Sequence, residues 1–116
     1  TNFRRVEANG NDDYGFRLEQ FGGGEIDATF RQSSAVNNVN DDGIRLESYQ
    51  TADGAEEEIY DPINALFINV VATDNGESAL RADGSTGTLS FRGGEYSAPI
   101  GENLFDFQDF GGTVMF

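Results

Sequence analysis

The feature that most constrains what this chain can fold into is an internal repeat. Four segments share one plan: Asp13-Tyr14-Gly15-Phe16-Arg17-Leu18-Glu19, Asp41-Asp42-Gly43-Ile44-Arg45-Leu46-Glu47, Glu77-Ser78-Ala79-Leu80-Arg81-Ala82-Asp83 and, more loosely, Glu102-Asn103-Leu104-Phe105-Asp106-Phe107-Gln108. Each is a polar turn running into an apolar/polar alternation of period two, the pattern of a short strand buried on one side. A second strand follows each of them: Ile26-Asp27-Ala28-Thr29-Phe30, Leu66-Phe67-Ile68-Asn69-Val70, Thr88-Leu89-Ser90-Phe91 and Thr113-Val114-Met115-Phe116. Aligned in this way, Ala28, Ile68, Leu89 and Val114 form one column and Phe30, Val70, Phe91 and Phe116 the next. The first strands recur at intervals of 28, 36 and 25 residues, so the loops vary while the strands keep their plan. Such a pattern predicts stacked turns of chain in one domain.

Alternation also assigns the faces, because successive side chains of a strand point to opposite sides. Phe16, Leu18, Ile44, Leu46, Leu80, Ala82, Phe105 and Phe107 are expected inside, with Phe30, Ile68, Leu89 and Phe91 facing them from the second strand. Arg17, Arg45 and Arg81 are expected outside in one ladder, with Glu19, Glu47 and Asp83 beside them. Asp106 continues the arginine column with the opposite sign. Exposed pairs of this kind contribute less than about 1 kcal/mol each and read as devices of solubility and register. A helix is excluded by the apolar spacing of two and by the Gly, Asn and Asp that interrupt every segment. An antiparallel sandwich is the rival, but it leaves unexplained why the same sequence returns at the same place.

The run of Asn or Gly, an acid, Gly and Ile-Arg-Leu-Glu, followed by Gly-Thr-Leu-Ser-Phe, resembles the right-handed parallel β-helix repeats of large secreted and cell-surface bacterial proteins. That resemblance implies an all-β solenoid of about four partial coils. The single domain 1–116 then divides into repeats at about 11–39, 40–74, 75–100 and 101–116, with 1–10 as the tail of a preceding coil. The family includes adhesins, phage tail proteins and polysaccharide lyases, so architecture alone does not assign an activity. The second coil departs from the pattern by an extra segment of about a dozen residues, and the fourth by the loss of its arginine.

Composition removes several functions. There are 21 acids against seven arginines and no lysine, for a net charge of −14, which repels nucleic acid and anionic membranes. The absence of histidine and cysteine excludes Ser-His-Asp catalysis, zinc-thiolate sites and thiol nucleophiles. No apolar run is long enough to span a bilayer as a helix. Paired carboxylates alone can hydrolyse glycosides, but few coils and one sizeable loop are a poor frame for a groove, so the chain reads as no enzyme.

Two places carry polar chemistry. Asp13, Asp41, Glu77 and Glu102 put one acid at the start of every first strand, where stacking brings like charges to within about 5 Å. Either each carboxylate accepts backbone N–H groups of its own turn, or the column holds calcium, the one cofactor the sequence suggests, though none is required. The long second-coil loop offers Glu56, Glu57, Glu58 and Asp61 beside Tyr60, a set suited to a cation or a sugar face, or simply a solvated acidic excursion.

Neither end of the chain reads as a cap, since Phe3 and Phe116 both fall in second-strand positions. Either the segment belongs to a longer β-helix or Phe3, Phe105, Phe107, Val114 and Phe116 meet a second copy end to end. The expected function is an extracellular or cell-surface structural or adhesive module that stacks into a fibre, with itself as partner. The alternative is a carbohydrate-binding or carbohydrate-active β-helix fragment of the phage-tail or lyase type, with polysaccharide as partner.

Overall fold

The computed structural model describes residues 1–50, 59–107 and 110–116. In chain order the strands are β1 (Asn2–Arg4), β2 (Phe16–Phe21), β3 (Ile26–Arg31), β4 (Ser34–Val36), β5 (Ile44–Tyr49), β6 (Ile63–Ile68), β7 (Val71–Thr73), β8 (Leu80–Asp83), β9 (Gly87–Arg92), β10 (Glu95–Tyr96), β11 (Phe105–Asp106) and β12 (Thr113–Met115). The fold is all-β, with no α-helix among the described residues.

These strands form three sheets, ordered β1-β3-β6-β9-β12, β11-β8-β5-β2 and β10-β7-β4. Every strand pairing within them is parallel. The chain visits the five-stranded, three-stranded and four-stranded sheets in an unchanging cyclic order. Glu7, bridged in parallel to Ser34, supplies the three-stranded sheet's place in the first circuit. Parallel pairing forces each strand's neighbour to come from the next circuit, which is why equivalent residues of the sequence repeat lie side by side. Phe16, Ile44, Leu80 and Phe105 are thus direct partners across four strands, as the alternation predicts.

The three-stranded sheet was not legible in the repeat, and its corners explain why it exists. Arg5, Gln32, Asn69 and Gly93 occupy equivalent places just after the five-stranded sheet, and all have left-handed backbone, with φ of 55°, 49°, 51° and 66°. A second left-handed corner follows the short strands at Gly10, Asn37 and Asp74. Left-handed residues turn an extended chain sharply, and only glycine does so without a Cβ penalty. At Arg5 and Gln32 the stack itself must therefore hold the corner: Arg5 N donates to Arg31 O and Gln32 N to Ile68 O, each at 2.9 Å.

One strand, β6, differs from the sequence expectation and changes two columns. β6 pairs Ala65 with Ala28 and Leu89, and Phe67 with Phe30 and Phe91. Ile68 and Val70 therefore do not occupy those columns: Ile68 lies half-buried on the outer face between Arg31 and Arg92, and Val70 is buried at the corner beyond. The physical reason is that Ile63-Asn64-Ala65-Leu66-Phe67-Ile68 is apolar on both faces, so alternation cannot choose its parity. Packing chooses it, because Phe67 completes a stack of rings. Phe3, Phe30, Phe67, Phe91 and Phe116 follow one another at centroid distances of 4.7, 5.1, 4.9 and 5.2 Å, with interplanar angles of 17° or less. Each such pair contributes about 0.5–1.5 kcal/mol beyond the area it buries. The opposite wall is the aliphatic column Ile44, Leu46, Leu80 and Ala82, fully buried against the rings.

Candidate functional site

The acid column stands where the repeat places it, three residues ahead of the in-register interior partners Phe16, Ile44, Leu80 and Phe105. Its members differ in environment. Asp13 and Glu102 are exposed, whereas Asp41 and Glu77 are half-buried in the middle of the stack. There the structure adds an acid that alternation did not single out. Asp42 is 1% exposed, and one carboxylate oxygen from each of Asp41, Asp42 and Glu77 lies within 4.8 Å of the others.

The local chain explains this convergence. Asp42 N donates to Asp41 Oδ1 at 2.9 Å, a turn-closing bond typical of aspartate. Glu77 N donates to Asp41 O at 3.1 Å and Ser78 N donates to Asp42 Oδ1, also at 3.1 Å, so two successive circuits are tied at this point. Gly43 permits the approach: a Cβ there would stand 2.6 Å from Asn75 Nδ2 and 2.8 Å from Ala79 O. Asp42 Oδ2, by contrast, is buried and has no hydrogen-bond partner. Burial pushes the Asp42 carboxyl up to about 7, reinforced by the negative charges of Asp41 and Glu77 and opposed by the Ser78 amide and Arg45.

Beside this cluster runs the charged face. Arg17, Arg45, Arg81 and Asp106 are in-register partners, as are Glu19, Glu47 and Asp83. Arg17 Nη2 reaches Glu19 at 2.8 Å and Glu47 at 3.1 Å, Arg45 Nε reaches Glu47 at 2.7 Å, and Arg81 Nε reaches Asp83 at 3.1 Å. The face is less exposed than the repeat suggests, since Glu47 and Asp83 are buried. Burial raises the Asp83 carboxyl, against the pull of Arg81. Tyr14 lies under both guanidiniums, 5.3 Å from Arg17 and 5.2 Å from Arg45, and its hydroxyl accepts from Arg45 Nη1 at 2.7 Å. Burial, together with the Asp41 carboxylate against the hydroxyl, raises the Tyr14 phenol, while Arg45 opposes it. The same Arg45 nitrogen is 3.8 Å from Asp41 Oδ1, so the two polar regions share a cation.

A third polar row escaped the sequence reading altogether. Asn11 donates through Nδ2 to Asn38 Oδ1 at 2.9 Å, Asn38 Nδ2 donates to Asn75 Oδ1 at 2.8 Å, and Asn75 Nδ2 donates to Ala35 O at 2.9 Å. Asn38 and Asn75 are buried, and each amide meets the one in the next circuit. The available signal was an asparagine five or six residues ahead of Phe16, Ile44 and Leu80, indistinguishable in sequence from ordinary turn punctuation.

Of the loop residues, Glu56, Glu57 and Glu58 lie outside the described residues. Tyr60 bridges Tyr49 in antiparallel fashion, and Asp61 is buried, its Oδ1 accepting from Gln50 Nε2 at 2.7 Å. Among the expected end residues, Phe3, Phe105, Phe107 and Val114 are partly buried against the core. Phe105 is 5.7 Å from both Phe107 and Phe116, and Phe116 is 81% exposed. No helix among the described residues is long and apolar enough to cross a membrane. Comparisons of the chain with protein-family models, with curated proteins and with solved structures find no match.

Proposed function

We propose that the chain is a length of right-handed parallel β-helix serving as an extracellular structural or adhesive module. The observation that carries this reading is the cyclic order of three parallel sheets, with like residues stacked on like: phenylalanine on phenylalanine, asparagine on asparagine, arginine on arginine. Side chains arranged this way are engaged with the circuit above and the circuit below, which is how a rigid rod is built. Right-handedness follows from the preference of parallel strand crossovers in general. The extracellular placing rests on the resemblance of the repeat to secreted and surface β-helices.

A rod grows by adding circuits at its open strand edges. The outer strands β1 and β2 at one end and β10, β11 and β12 at the other, with the exposed face of Phe116, are suited to receive further circuits, from the same polypeptide or from a second copy. Heterologous contacts of this type do not close, and so yield filaments.

The test is to insert a second copy of residues 75–100 directly after residue 100. In a quasi-one-dimensional stack the added circuit lengthens the molecule by about 4.8 Å and leaves its unfolding midpoint in urea equal or higher. A collapsed or unfolded product rejects the architecture. Sedimentation of the native chain at rising concentration, beside the Phe107→Asp/Val114→Asp double substitution, tests the stacking. Self-association abolished by the substitution supports contact between copies. A monodisperse native monomer removes that part of the proposal.

A further inference from the structure

We propose that Asp41, Asp42 and Glu77 form a binding site for a divalent cation, with calcium preferred to magnesium, clamping two successive circuits of the chain together. The site differs from the column expected from sequence: Asp13 and Glu102 fall outside it, and the buried Asp42 takes their place at its centre. It stands whether or not the chain assembles into filaments.

The first support is geometric. Oxygens bound to one calcium at about 2.3–2.6 Å lie at most about 4.6–5.2 Å apart, whereas the shorter bonds of magnesium hold them within about 4.2 Å. Three carboxylate oxygens within 4.8 Å of one another lie inside the span that one calcium ion bridges. The second support is independent of the clustering. Asp42 is 1% exposed and its Oδ2 has no hydrogen-bond partner, although its Oδ1 is held by the Ser78 amide. A buried polar atom in a folded protein is ordinarily paired, and an oxygen left over inside an acidic group is the kind a cation satisfies.

The third support is charge. Three carboxylates face one guanidinium, Arg45, which sits 3.8 Å from Asp41 and already binds Glu47 at 2.7 Å. When the three acids are ionised the group retains about two negative charges after Arg45 is counted, the charge a divalent ion cancels. The two connections that place the acids, Glu77 N to Asp41 O and Ser78 N to Asp42 Oδ1, come from backbone rather than from long side chains. The ligands on Asp42 and Glu77 are therefore preset by the stack, and the ion adds a cross-link between circuits. Three protein oxygens leave several coordination positions for water, which places the affinity in the range of about 0.1–1 mM seen in extracellular calcium modules.

The experiment uses the whole chain and calcium itself. After removal of metal with EDTA, calcium is titrated by calorimetry and the thermal midpoint followed by circular dichroism. A single site of submillimolar to millimolar affinity and a rise of about 5 °C at 10 mM calcium are expected, with a smaller rise in magnesium. Terbium provides a second readout, because Tyr14 lies against Asp41 and can sensitise its emission. Asp42→Asn keeps the shape and removes a charge, so it folds in EDTA while losing at least tenfold in calcium affinity. Asp13→Asn and Glu102→Gln leave the affinity unchanged, and Tyr14→Phe dims terbium emission without abolishing the calcium-dependent rise. The proposal is overturned if 10 mM calcium leaves the midpoint where EDTA puts it, or if Asp42→Asn binds as the native chain does.

Discussion

Replacing Ile68 with glutamate separates the observed register of β6 from its mirror parity more sharply than any core truncation. In the structure Ile68 lies on the outer face of the five-stranded sheet, with Arg31 and Arg92 as its direct neighbours. A carboxylate there gains two exposed cations within cross-strand reach, each contributing about 0.2–1 kcal/mol, against the loss of a partly buried isoleucine. The net change is expected within about 1 kcal/mol. Phe67, in contrast, is fully buried between Phe30 at 5.1 Å and Phe91 at 4.9 Å. Phe67→Ala would cost about 3–5 kcal/mol, a large part of the stability of an ordinary domain, so the milder Phe67→Leu is the useful probe. It loses two stacked pairs and some shape complementarity, about 2–4 kcal/mol together. Urea unfolding followed by far-ultraviolet circular dichroism and by tyrosine fluorescence reads both, the chain having no tryptophan. Were Ile68→Glu to unfold the protein while Phe67→Leu left it unchanged, Ile68 would face the interior and the phenylalanine stack would be refuted.

Asn38→Ala removes two bonds from Asn11 and one to Asn75 and is expected to cost about 2–4 kcal/mol in urea midpoint measurements. Asn38→Asp should fare no better, since a carboxylate cannot donate to Asn75. In EDTA, stability should fall as pH rises from about 4 to 7, because the folded chain holds a proton on Asp42 up to about 7 while the unfolded chain releases it near 3.8. That contribution is complete below the unfolded value and lost above the folded one. The groups that face Asp42 and shape this limb are Asp41, Glu77 and Arg45. Asp83, also raised by burial, adds to the same trend, and Asp42→Asn should flatten most of it in midpoints taken at pH 4.5, 6 and 7.5.

The Asn38 row and the Asp41 cluster lie close together, just ahead of the first residues of β5 and β8, and they solve the same problem differently. Stacking equivalent residues about 4.8 Å apart suits an amide, which donates to one neighbour and accepts from the other. It does not suit a carboxylate, which only accepts when ionised. Asparagine therefore forms a closed row from Asn11 to Ala35 O, while the acids leave Asp42 Oδ2 without a donor. A cation or a proton is what completes the acidic version.

Local pattern alone determined a good deal of this molecule. Period-two alternation places the strands around Phe16, Ile44 and Leu80, and the recurrence of Asp-Gly-Ile-Arg-Leu-Glu-like segments places like beside like, so the parallel arginine, acid and aliphatic columns all follow from the order of residues. Tertiary structure decided the rest. The parity of β6 was open because both its faces are apolar, and it was settled by the rings of Phe30 and Phe91, far away in sequence. The three-stranded sheet depends on left-handed corners at Arg5 and Gln32, residues with no local preference for that conformation, which hydrogen bonds from the next circuit hold in place. The burial of Asn38 and Asp42 likewise comes from the circuit stacked upon them. A turn residue and a ladder residue are the same letter until a second turn of chain covers it, because burial is a property of the neighbour and not of the residue.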